Sequence, residues 1–342
     1  MRRPALSLAL CALVFGCSTL TASPEGDRAL PAGRGGPYRP LTAAEMGGQL
    51  CVVLENNVRY DDPSALADGD AVIVYATREA DGRSSIVRTR VVLGARPDAA
   101  PSEVFAATLP WQSGRVAAPS VVQHDGKFFM AYATPGGLGI AESRDGLSFT
   151  EAGVARLEAD PAAGESTPLG SPALVHDPAG GWVLAYTSGA SIWAARADDA
   201  MSRFERLDAA AETPRRDPLV APDDDGLDAG APDFRAGSVS DPAFTVEETS
   251  AGRTLWRLFF TARGRPTLVD GGLRSEVVVG VAGSFDGRRY TVSTSPAFSS
   301  RVDVSASAPS VILRNQRESI MFLGGNCGGF SQRRGLRVAV AP

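Results

Sequence analysis

Five times along the chain, a proline followed by a small or apolar residue opens a β-like run. The copies are Asp62-Pro63-Ser64-Ala65, Ala118-Pro119-Ser120-Val121, Ser171-Pro172-Ala173-Leu174, Asp241-Pro242-Ala243-Phe244 and Ala308-Pro309-Ser310-Val311. Their prolines lie 56, 53, 70 and 67 residues apart. Each copy passes a polar turn and enters a second apolar run (71–77, 127–133, 182–187, 254–261 and 319–323) rich in the aromatic and β-branched residues that strands favour. A third run, Gly139–Ser143 in the second copy and Val281–Ser284 in the fourth, leads into an Asp-Gly step (Asp145-Gly146 and Asp286-Gly287) expected to turn a hairpin.

A unit this short cannot bury its apolar faces alone and must stack on copies of itself. Four short strands per repeat describe propeller blades around a central channel. The chain is therefore expected to be all-β: one five-bladed β-propeller of four-stranded antiparallel blades over residues 50–342. The stretch from Pro214 to Phe234 reads as an acidic insertion between the third and fourth copies. Hydrophobic residues at 44% and charged residues at 21% exclude a disordered chain. With 34 basic against 39 acidic side chains the net charge is −5, which argues against a nucleic-acid partner.

Ahead of the repeats, Arg2 and Arg3 precede an apolar stretch, Ala5 to Phe15, too short to span a bilayer. It ends at Val14-Phe15-Gly16-Cys17, which resembles a bacterial lipoprotein lipobox. That resemblance makes residues 1–16 a signal peptide, Cys17 the lipidated first residue, and 17–49 a flexible Gly- and Pro-rich tether. The expected location is then the outer membrane, facing the periplasm or the cell surface, with membrane contact through the lipid alone. The alternative is an ordinary cleaved signal ending near Ala22-Ser23. Either route leads to a compartment where disulfides persist. Cys51 and Cys327 remain there, to be bridged or to stay as two buried thiols.

The run from Ala118 to Tyr132, continuing to Asp145-Gly146, is similar to a blade of glycoside hydrolase family 43 and its invertase-like and levansucrase-like relatives. The resemblance implies a five-bladed fold with carboxylates around the channel mouth. In an inverting site one carboxylate activates water and a protonated one serves the leaving oxygen, about 6.5–9.5 Å apart. Asp62 stands where the family has its base, and Ala118 where its second blade has no acid. Ser171 occupies the place of the family's tuning Asp. Ser240 occupies the place of its acidic Glu, with Asp241 one step later as the remaining candidate acid.

Asp61 and Trp111 are the expected ligand-binding neighbours, Trp111 by stacking from a loop before the second blade. Trp182 and Trp256 fall inside strand runs and read as core. Glu55 and Glu165 could bring an acid from loops, whereas Glu142 reads as structural. His124 and His176, beside Asp125 and Asp177, read as turn residues rather than zinc ligands. The run Asp223-Asp224-Asp225-Gly226-Leu227-Asp228 hints at calcium but lacks EF-hand spacing, so no cofactor or metal is expected. Three functions remain open for a monomeric chain: a carbohydrate-recognising propeller, a working inverting glycosidase on arabinosides, xylosides or fructosides, and a propeller that binds protein.

Overall fold

A computed structural model describes residues 35–46, 51–52, 58–95, 100–154, 156–207, 217–222, 234–265, 267–269, 272–299, 306–314, 318–327 and 334–341. They form five antiparallel sheets, each one blade. From the inner strand outward, blade 1 holds Arg59–Asp68, Ala71–Ala80, Arg83–Val92 and Ser102–Ala106. Blade 2 holds Ala117–His124, Lys127–Thr134, Gly137–Ser143 and Thr150–Glu151. Blade 3 holds Gly170–His176, Trp182–Ser188, Ser191–Ala197 and Glu205–Arg206. Blade 4 holds Ser238–Glu248, Thr254–Arg263 and Val277–Ser284, with two short strands, Thr291–Val292 and Phe298–Ser299, both pairing with the third. Its second and third strands are separated by a small hairpin, Thr267–Val269 with Gly272–Arg274. The inner strands contact one another in a closed ring. The five-bladed reading of the repeats therefore stands.

Five apolar clusters fill the five spaces between blades. Blades 1 and 2 share Tyr75, Ile86, Val121, Met130 and Tyr132, while blades 2 and 3 share Leu138, Ile140, Leu174, Trp182 and Leu184. Strands buried on both faces lose the alternation of a half-exposed sheet, which is why the second strands read as continuous apolar runs. Trp182 and Trp256 are both buried, as expected of core residues.

Blade 5 is built from both ends of the described chain. Ala306–Leu313, Ser319–Asn326 and Arg334–Ala341 supply three strands, and Arg39–Pro40 pairs outside the third, Arg39 with Val340 and Pro40 with Ala339. The expected tether thus gives way to folded chain well before residue 49. Tyr38 is buried with its hydroxyl donating to Ser319 Oγ at 2.8 Å, and Met46 enters the core between blades 1 and 5. A two-residue strand beside Pro37 carries no periodicity, so the composition of a linker masked it. Nearby, a disulfide joins Cys51 to Cys327 across 276 residues, with Cα atoms 5.6 Å apart. The bridged alternative is the one observed.

Every inner strand breaks register at its proline: between Asp61 and Ser64, Ala117 and Ser120, Gly170 and Ala173, Ser240 and Ala243, and Ser307 and Ser310. Proline has no N–H for the ladder, and a bulge absorbs the extra residue. The residue before it, the head of the blade, takes a left-handed φ: 50° at Asp62, 50° at Ala118, 41° at Ser171, 51° at Asp241 and 51° at Ala308. That conformation costs a non-glycine residue about 1 kcal/mol or more. It also turns the head's N–H away from its own sheet.

Neighbouring blades accept these freed donors. Thr77, Thr187 and Thr261, each on a second strand, accept the N–H of the next blade's head: Ala118 at 2.7 Å, Asp241 at 3.0 Å and Ala308 at 2.9 Å. The serine after the proline accepts one step further along. Ser64 takes Val121 N–H at 2.8 Å, Ser120 takes Leu174 N–H at 2.8 Å, and Ser310 takes Ala65 N–H at 2.9 Å, closing the ring from blade 5 to blade 1. Ser310→Ala is expected to strand the Ala65 donor and cost about 1–3 kcal/mol. A urea midpoint equal to the parent's would show that the hydroxyl is dispensable.

The Asp-Gly steps do not form two-residue hairpins. Asp145 and Asp286 instead lie in six-residue loops, 144–149 and 285–290. In each, a serine hydroxyl donates to the aspartate Oδ1, from Ser143 at 3.1 Å and from Ser284 at 2.8 Å. The aspartate oxygen then accepts the N–H of Leu147 or Arg288, both at 2.8 Å. Side-chain capping of this kind competes with a tight β-turn.

Candidate functional site

The five bulges aim the five heads at the axis, where they line a cavity of about 400 Å³ with the prolines and following residues of all five inner strands. Among the heads only Asp62 and Asp241 are ionisable. The structure thus brings together the two carboxylates singled out from the repeats. Phe244 is the aromatic residue on the cavity wall.

Asp62 accepts a hydrogen bond from Thr77 Oγ1 on Oδ2 at 3.0 Å, and its N–H donates to Asp61 Oδ1 at 3.3 Å. It is half-buried on the cavity wall. Burial, then the negative charges of Asp61 and Asp241, push its carboxyl up to about 7, against the opposing pull of Thr77 and Arg59. A carboxyl in that condition still carries a proton near neutral pH and can donate it.

Asp241 is held differently. Its Oδ1 accepts from Ser171 Oγ at 2.6 Å and its Oδ2 from Ser240 Oγ at 3.0 Å. Ser171 and Ser240 are the positions where the resemblance implied a tuning acid and a catalytic acid. Both hydroxyls are spent on Asp241 instead. The two heads therefore differ: Asp62 is raised in proton affinity by burial and held by one threonine, whereas Asp241 is held by two serine hydroxyls. The one-dimensional pattern hid this because Ser171 belongs to blade 3 and its partner to blade 4.

The other candidates lie elsewhere. Asp61, expected as a ligand contact, does not line the cavity. Its Oδ2 is taken by Arg59 at 3.0 Å and Arg334 at 2.8 Å, on the side facing blade 5. Trp111, expected as a stacking platform, is also absent from the cavity wall. It sits in the 3₁₀ turn Pro110–Gln112, tilted on Tyr132 at 6.1 Å, with the Arg156 guanidinium 5.5 Å from its ring centre.

Glu165 is buried. Burial alone would raise its pKa, but Arg206, the Tyr186 hydroxyl and Asp160 N–H together hold it below the usual glutamate range, so it is not a proton donor. Gln112 occupies the matching place in blade 2, bonded to Tyr132 and Glu151. Glu142 lies 3.4 Å from Lys127 on a third strand. His124 and His176 end their inner strands, far along them from the heads, and their rings stack at 3.7 Å. Glu55, Cys17 and the run 223–228 lie outside the described residues. Among the described residues no group of three or more His, Cys, Asp or Glu could hold a metal ion, and no helix is long and apolar enough to cross a membrane.

No family model matches this sequence, and no curated protein does. Solved structures do match. A glycosyl hydrolase from Bacteroides ovatus superposes with a TM-score of 0.61 at 14% identity, over 91% of this chain and 95% of that one. The native arabinanase of Bacillus subtilis gives 0.56 at 13% identity, over 85% and 96%. The α-L-arabinofuranosidase of Podospora anserina, solved in complex with cellotriose, gives 0.57 at 12% identity, over 85% and 95%. The chain therefore shares its fold, nearly end to end, with five-bladed propeller glycoside hydrolases.

Proposed function

We propose that the channel head is a carbohydrate site. The observation that carries this reading is the pair of unlike carboxyls, one proton-retaining and one doubly hydrogen-bonded, at the head of a cavity whose volume falls within the range of small-molecule sites. Sugar hydroxyls both donate and accept, so Asp62 and Asp241 can each hold one. The Podospora neighbour, with cellotriose bound on the same fold, supports the choice of ligand class. A glycan array with purified protein tests it. Bound glycans are expected, and an array with no signal from correctly folded protein overturns the reading.

A second reading is favoured by the raised proton affinity of Asp62: hydrolysis with inversion. Asp62 then protonates the leaving oxygen and Asp241 deprotonates a water on the far side of the sugar. Because the donor must be protonated, activity is expected to fall as pH rises through about 7. Arabinosides, xylosides and fructosides form the assay panel. Release that stays flat from pH 6 to pH 9 is incompatible with Asp62 as the acid. A silent glycan array together with no release leaves a propeller that binds protein.

The protein is further proposed to be exported and anchored through lipid on Cys17, as a monomer, with its sugar site facing the periplasm or the cell exterior. The lipobox-like Val14-Phe15-Gly16-Cys17 supports this. Incorporation of labelled fatty acid that Cys17→Ala abolishes is the expected result. An unlabelled mature protein beginning near Ser23 would indicate ordinary secretion.

A further inference from the structure

The heads of blades 1 and 3 lack the threonine that supports the other three, Ala133 standing in that place for blade 3, and blade 1 alone replaces the missing hydroxyl with a charge. The head of blade 4 rests on Thr187 and the head of blade 5 on Thr261, with Ser240 and Ser307 standing just before those heads. The corresponding second-strand residue for the head of blade 1 is Gly324, which pairs with Ser307 as Thr77 pairs with Asp61. Gly324 has no hydroxyl. A Cβ on it would stand 1.9 Å from Asp61 Oδ1, so the aspartate oxygen fills the space that a threonine side chain takes elsewhere. That oxygen accepts Asp62 N–H, while the other is clamped by Arg59 and Arg334. A neutral hydroxyl has been exchanged for a fixed negative charge at the one head whose proton matters most.

We propose that Asp61 is a positioning residue for Asp62: clamped by Arg59 and Arg334, it fixes the head of blade 1 and by its charge keeps a proton on the channel carboxyl. Asp61 thereby performs, from within the same strand, the tuning that the resemblance implied for blade 3, where Ser171 stands. The charged and hydrogen-bonding groups that bear on Asp62 come from several elements. Thr77 faces it from the second strand of blade 1, and Arg59, itself 3.6 Å from Glu79, from its own strand. Asp241 faces it from blade 4, and Arg334 of blade 5 acts through Asp61. The repulsion between Asp61 and Asp62 agrees in direction with the raised proton affinity.

This inference rests on Asp62 being the site's working carboxyl, yet its test needs no sugar. Asp62 is titrated by carboxyl carbon NMR in the parent, in Asp61→Asn, and in a double variant carrying Asp61→Ser with Gly324→Thr. The double variant rebuilds the Thr187/Ser240 and Thr261/Ser307 arrangement at blade 1, so it keeps a neutral acceptor for Asp62 N–H if Asp61→Asn fails to fold. The midpoint of Asp62 is expected to fall by about one pH unit or more in whichever variants fold. An unchanged midpoint in a folded variant overturns the proposal and leaves Asp61 a purely structural brace. A protein that binds no glycan but shows the fall keeps this inference and loses the carbohydrate reading.

Discussion

Asp62→Asn is expected to yield a protein that is more stable than its parent and binds its ligand more weakly. In the folded state Asp62 keeps its proton to a higher pH than it does in the unfolded chain, where aspartate ionises in its ordinary range. Between those two values the folded state binds more protons, so stability falls as pH rises and levels off above about 7. Asparagine cannot ionise and escapes that penalty, while its amide still reaches Thr77. The gain is expected to be about 1–3 kcal/mol at pH 8 and small at pH 4, read from urea denaturation at both values. Glycan affinity at pH 8, where Asp62 is ionised, is expected to fall about 10–100-fold, the consequence of losing a charged hydrogen bond of about 1.5–3 kcal/mol. A variant that loses stability equally at both pH values would show that Asp62 is not held against its charge.

Cys327→Ser is expected to be the most destabilising single change outside the apolar clusters. The bridge spans 276 residues and both sulfurs are buried. Constraining so long a loop gives about 5 kcal/mol in the chain-entropy model, and removing native bridges costs about 2–5 kcal/mol in practice. The measurement is the denaturation midpoint of the variant against the oxidised parent. A difference under about 1 kcal/mol would mean that the pairing of Arg39–Pro40 with blade 5 suffices to close the ring.

The propeller was legible because one local conflict recurs five times. A proline cannot donate to the ladder, so each inner strand must bulge there, and small residues such as Ser64, Ala173 and Ala243 follow where blades crowd the axis. Asp62 and Asp241 were legible for the same reason, since the residue before the proline always becomes a head. Contacts between blades were not legible. Ser171 and Ser240 stand in the sequence as absent acids, and only the fold shows them bonded to Asp241. Asp61 was named beside Asp62 for adjacency alone, although successive strand residues face opposite sides, and its partner Arg334 lies on another blade. Trp111 read as exposed because its loop is short and polar. Its cover comes from Tyr132 and Arg156, which lie 21 and 45 residues further on.

The composite fifth blade has a bearing on how the molecule comes into being. Its outermost strand precedes its third by about 300 residues along the chain, so the circle closes only when two distant segments meet. Long-range pairings of this kind are slow to form and leave strand edges open to misassembly in the interval.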